Sequence, residues 1–123
     1  MVTLNEGIKQ IAEMGDQKKW DTNIATKIYY AMIELSEAGD AWKHRDDEDY
    51  LKTELKITKD QLPEYIAEEL IDCILYCLHG FHCIGFFDAD YMYDKKMKIN
   101  QNRNRVYADD TTIRKPEDHK DEP

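Results

Sequence analysis

Apolar residues recur along this chain at three- and four-residue intervals, interrupted by a few glycines, prolines and acid clusters, so the pattern is helical nearly throughout. Leu4, Ile8, Ile11 and Ala12 share one face of a first short helix. It opens with Thr3-Leu4-Asn5-Glu6, a Ser/Thr-x-x-Glu capping box, and Gly15 is its natural stop. From about Thr22 to Arg45, Ile24, Ile28, Met32 and Leu35 form an apolar stripe that Ala31, Ala38 and Trp42 widen. That spacing predicts a helix of roughly six turns. Residues 46–61, led by Asp46, Asp47, Glu48 and Asp49, read as an acidic connection with room for one helical turn. Pro63 and Glu64 suit the start of a third helix, since proline needs no amide partner there and an acid favours the positive end of the dipole.

The third helix is apolar nearly all round. Ile66, Leu70, Ile74, Cys77, Leu78 and Phe81 line one face, and Ile71, Leu75 and Tyr76 extend it. Such a helix has to be covered on several sides, by its own domain or by another subunit, which predicts a central position and an oligomer. Gly85 and Asp88 mark a break and an N-cap, and Ala89 to about Arg105 predicts a fourth helix with Met92, Met97 and Ile99 inward. No internal repeat and no alternating strand pattern is visible, so the expected class is all-α, a four-helix bundle in one domain over residues 1–105. Residues 106–123 have almost nothing to bury and are expected to form a disordered acidic tail.

Composition narrows the function. The chain has 123 residues, with 17 Lys and Arg against 26 Asp and Glu, a formal net charge of -9. Most of that surface would repel a duplex backbone, so no duplex nucleic acid is expected as a partner. The opening MVTLNEGIKQ has no basic segment followed by an apolar run, so no signal peptide is expected. The stretch Ile71 to Phe87 carries Asp72, His79 and His82 and is short for a membrane span. Cys73, Cys77 and Cys83 are an odd, clustered set without a disulfide framework, which favours a reducing, cytoplasmic setting.

The chemistry lies in two acid pairs. Glu34 and Glu37 are three residues apart on the second helix, and Glu69 and Asp72 on the third, each pair bordering an apolar stripe. Residues so spaced lie roughly 5 to 6 Å apart at Cβ, near enough to share a cation. If the two helices pack antiparallel, four carboxylates converge at one seam, where their repulsion calls for raised pKa values or a divalent ion. Oxygen-only ligands favour Mg²⁺, with Mn²⁺ as the alternative.

Glu34-Leu-Ser-Glu37 and Glu69-Leu-Ile-Asp72, in the settings AMIELSEAGDAW and EELIDCILYCL, resemble the ExxE…ExxD signature of the all-α nucleoside triphosphate pyrophosphohydrolases. That group includes MazG, dCTP pyrophosphatases, dimeric dUTPases and phosphoribosyl-ATP pyrophosphohydrolase. The run Lys96 to Arg103 is similar to the Lys-x3-Asn-x2-Arg element of its MazG-like and dCTP pyrophosphatase branches. The resemblance spans roughly Asn23 to Arg105, and departs from the pattern in the 31 residues between Glu37 and Glu69. It implies Mg²⁺ on Glu34, Glu37, Glu69 and Asp72, and hydrolysis of a nucleoside triphosphate to monophosphate and pyrophosphate. It implies further that Lys96, Asn100 and Arg103 serve the phosphates, that Trp20 stacks on the base, and that the protein is a homodimer or homotetramer. Glu37 is the candidate for orienting and deprotonating the attacking water.

Three readings compete. Cys73, Cys77, His79, His82 and Cys83 include zinc-type ligands, but on a continuous helix Cys73 and Cys77 share the stripe while the histidines point elsewhere, so buried thiols are expected. A non-catalytic helical interaction module would explain the apolar third helix and the acidic tail but not four converging carboxylates. Single-stranded nucleic-acid binding through the basic segment 95–105 is opposed by the overall charge.

Overall fold

The computed structural model describes residues 1–103, all of whose regular elements are helical. The expected tail, 106–123, and the last expected turn of the fourth helix lie outside the described residues. The chain divides into two compact units, Met1–Phe87 and Asp88–Pro123.

In the first unit, α1 (Leu4–Lys18) runs one turn beyond Gly15 and stops where Lys19 adopts a left-handed conformation at φ 58°. The Thr3 hydroxyl accepts the Glu6 amide at 3.1 Å, the forward half of the expected capping box. Its buried face, Gly7, Ile8, Ile11 and Gly15, packs on α4 (Leu62–Ile84). Asn23 caps α2 (Ile24–Lys43) by accepting the Ala25 amide at 2.9 Å.

The α2–α4 pair is the body of the unit, and it is antiparallel. Ile24 meets Gly80 at one end, Tyr30 stacks on Tyr76 in the middle, and Ala41 meets Leu62 at the other end. The side of α2 that faces inward corrects the sequence expectation. Lys27, Ala31, Ala38 and Ala41 are buried, whereas Ile28, Met32, Leu35 and Trp42 are more than half exposed. Positions 27, 31, 34, 38 and 41 advance by alternating fours and threes, the spacing of a helix–helix seam. On α4 the buried and half-buried positions 62, 66, 69, 73, 76 and 80 follow the same rhythm. Small residues on α2 let the backbones come close, and among the described residues nothing covers the large residues on its other side. On α4, Leu70, Ile71, Ile74 and Leu75 are likewise exposed.

The acidic connection is folded rather than open. It holds a single turn, α3 (Glu48–Tyr50), a π turn over Leu51–Leu55 and a 3-10 turn over Lys59–Gln61. The cause is Leu51, which is fully buried against Ala41 and Leu62, with Leu55, Ile57, Tyr65 and Ile66 packed around it. Next to it, the Tyr50 hydroxyl donates to Asp40 at 2.7 Å and its ring stacks on His44 at 3.7 Å. The connection therefore clamps the far ends of α2 and α4 together. Gly85, at φ 73°, ends α4 in the left-handed conformation glycine adopts without strain.

In the second unit, Asp88 caps α5 (Ala89–Asn102) by accepting the Tyr91 amide at 3.1 Å. Ala89 and Ile99 are buried, but Met97, expected inward, is 42% exposed. No helix among the described residues is long and apolar enough to cross a membrane.

Candidate metal centre

Glu34 occupies a seam position of α2 and Glu69 a seam position of α4, so the antiparallel packing that joins the helices also presses their acids together. Glu37, one turn from Glu34, reaches the same point from the exposed flank. One carboxylate oxygen from each of Glu34, Glu37 and Glu69 lies within 4.8 Å of the others. Asp72, the fourth expected ligand, is exposed and outside this group. It remains near enough to act on the Tyr76 phenol together with Glu34 and Glu37.

Glu69 is the pivotal residue. Its Oε2 is buried and, among the described residues, has no hydrogen-bond partner. Burial first, and then the adjoining carboxyl groups of Glu34 and Glu37, raise its pKa from 4.5 to about 8. An acid in that state at neutral pH either holds a proton or needs a cation. Three convergent oxygen ligands with no nitrogen or sulfur suit a hard divalent ion, and Mg²⁺ commonly takes a few carboxylates and completes its shell with water and phosphate oxygens. The residues present therefore fit such an ion.

Two phenols flank the acids. Burial, followed by Glu69, Glu37, Glu34 and Asp40, raises the pKa of Tyr65, while burial and then Glu34 raise that of Tyr76. Both stay protonated at neutral pH. Tyr76 also closes one end of an apolar groove of about 200 Å³ that runs between α2 and α4 past Ile28, Ala31, Cys77 and Phe81. Ala31 and Tyr76 lie within a turn of Glu34 and Asp72, so the groove begins beside the carboxylates.

The remaining expected residues are placed elsewhere. Trp20 packs against His79 with the rings tilted by 53° and their centroids 5.9 Å apart. His79 lies ten residues beyond Glu69 along α4, a rise of about 15 Å, so Trp20 is not brought to the acids. Lys96 and Asn100 are exposed one turn apart on α5. Arg103, three residues beyond Asn100, is the residue at which the helix ends, with φ -73° and ψ 133°. Asn100 and Asn102 are poor helix formers, which accounts for the early end. Cys73, Cys77 and Cys83 are free, and among the described residues no thiol–imidazole group gathers as the glutamates do.

Reasoning from sequence missed Tyr65, Tyr76 and the groove. Tyr65 and Tyr76 stand four residues to either side of the Glu69/Asp72 pair, and that flanking is the signal that would have found them. No family model matches this chain, and neither a curated protein nor a solved structure matches it.

Proposed function

We propose that this protein is a Mg²⁺-dependent nucleotide pyrophosphohydrolase that cleaves a nucleoside triphosphate to the monophosphate and pyrophosphate. The observation that carries the reading is the convergence of Glu34, Glu37 and Glu69 around a buried carboxylate oxygen that has no hydrogen-bond partner among the described residues. The ExxE and ExxD motifs on which these acids lie support it.

Glu34, Glu37 and Glu69 would hold the ion, with Asp72 one turn further along α4. When bound, the ion supplies positive charge that offsets the charge of the phosphates. Glu37, the exposed member of the triad, would orient the attacking water and take its proton. The Tyr65 and Tyr76 phenols, kept protonated, are donors for phosphate or water oxygens. The groove beyond Tyr76 offers an apolar slot beside the phosphate site, the kind of surface that takes a nucleobase. Lys96, Asn100 and Arg103 are phosphate ligands in this reading through their sequence motif alone.

The uncovered stripe of Ile28, Met32 and Leu35, together with Ile71, Ile74 and Leu75, is read as a contact between copies of the chain. It also suits a non-catalytic interaction module, which the activity assay separates. Phosphorus NMR of a panel of nucleoside triphosphates, with Mg²⁺ or excess chelator, should show metal-dependent monophosphate and pyrophosphate. Glu37→Gln should abolish turnover and leave the circular dichroism unchanged. Diphosphate with orthophosphate, or no product from any substrate, would overturn the proposal.

A further inference from the structure

We propose that His79 is the catch of a pH-sensitive latch: its neutral ring seats the end of α1 and Trp20 against α4, and a protonated ring releases them.

The seat is a close one. α1 approaches α4 through two glycines, Gly7 over Leu78 and Gly15 over His79. A Cβ at Gly15 would lie 3.1 Å from Cε1 and Nε2 of His79 and 3.2 Å from the Trp20 ring, so backbone, imidazole and indole are in mutual contact. His79 is 3% exposed. The turn that delivers Trp20 is held by its amide, which donates to the Gly15 carbonyl at 2.9 Å, and by Lys19 in the left-handed region. A residue with a Cβ resists that conformation by roughly 1–2 kcal/mol, so the turn depends on the contacts beyond it.

The charges around the ring give the latch its direction. Lys27 faces it from α2, His82 from its own helix with rings 6.0 Å apart, and Asp21 from the α1–α2 linker. Lys27 is 5% exposed, and Asp21, the acid facing it, stands 3.9 Å away and is largely in solvent. A proton on His79 adds a second buried cation beside Lys27 for Asp21 to balance. Burial first, then Lys27 and His82, hold the imidazole below its usual 6.5, so the ring is neutral at neutral pH. As pH falls below 6.5, the released form takes up a proton before the seated form does, and the seat weakens. The linker leads directly into Ile24 and Lys27, which line the groove, so release acts on one end of that groove.

The test uses the full chain carrying Trp42→Phe, which leaves Trp20 as the single indole. Its fluorescence is followed from pH 8 to 5, with hydrogen exchange of α1 and proton NMR of the histidine rings. The expected result is a transition in Trp20 emission with a midpoint below 6.5 that coincides with the His79 ring titration. Opening of α1 should rise by up to tenfold per pH unit below 6.5 while the middle of α4 stays protected. His79→Gln should abolish the transition, His82→Gln should keep it, and Lys27→Met should move its midpoint upward. Flat emission, a transition that survives His79→Gln, or a ring titration at a different pH from the emission change would overturn the proposal. The last comparison needs no substitution at His79 and stands even if that variant fails to fold.

Discussion

Replacing Glu69 with Gln keeps the shape of the side chain and removes its titration, which isolates the electrostatic cost of placing an acid in the seam. Glu69 sits at about 8 against an ordinary 4.5. At 1.36 kcal/mol per pH unit the difference corresponds to a ceiling of about 5 kcal/mol. Water reaches the seam from the exposed Glu37 side, and screening reduces that ceiling to about 2–3 kcal/mol. Below pH 4.5 the group is protonated in both folded and unfolded chains, so it has no effect on stability. Between 4.5 and 8 the folded chain keeps a proton that the unfolded chain releases, and stability therefore falls as pH rises. Above 8 the whole cost is present. Urea unfolding in chelator at about pH 5, 7 and 8.5 should show Glu69→Gln gaining on the wild type by about 2–3 kcal/mol across the series. Mg²⁺ at about one hundred times its Kd should stabilise the wild type by about 2.7 kcal/mol and the variant by much less. A gap independent of pH, or a wild type that is the more stable at pH 8.5, would refute the argument.

Other substitutions probe the packing. Leu51→Ala should cost about 3 kcal/mol in urea unfolding, because a fully buried leucine fills the space between Ala41 and Leu62. Gly15→Ala should lower stability by about 1–2 kcal/mol, since the added carbon would lie 3.1 Å from the His79 ring and 3.2 Å from Trp20 and force them to give by a few tenths of an ångström. Gly39→Ala, with nothing within 4 Å of the added carbon, should instead raise it by about 1 kcal/mol, and thermal melts of the two variants should move in opposite directions. Met32→Glu should shift sedimentation at micromolar concentration toward the monomer while leaving helicity unchanged; a wild type that is already monomeric would contradict the contact between copies.

The helices themselves were legible, because period and caps are local properties. Thr3 and Asp88 each cap the helix they precede, and Gly85 ends α4. The inward face of α2 was not. Large apolar residues at helical spacing suggest a core, yet here the alanines make the seam and the large residues lie outside it, a choice set by how closely α4 approaches. The acids were legible as a pair of pairs but not their division of labour. Whether Glu69 or Asp72 is drawn inward depends on the rotation of α4, which spacing alone does not give. Leu51 was hidden because a lone leucine between acids has no periodicity, and burial of Lys27 and His79 emerges only once α1 and α2 pack on α4.

The clamp made by residues 48–61 turns the helix pair into a lever whose fulcrum lies next to the acids. Ala41, held against Leu51, is four residues from Glu37 and seven from Glu34, about 6 and 10 Å along the axis. A rotation of about 5° at that fulcrum displaces the two carboxylates by about 0.5 and 0.9 Å. Mg²⁺ demands oxygen ligands near 2.1 Å, whereas Ca²⁺ accepts about 2.3–2.6 Å, a difference within that travel. In the proposed metal centre, ion preference would therefore be adjustable from a loop that supplies no ligand: trimming or lengthening this connection would retune the centre without touching any of its glutamates.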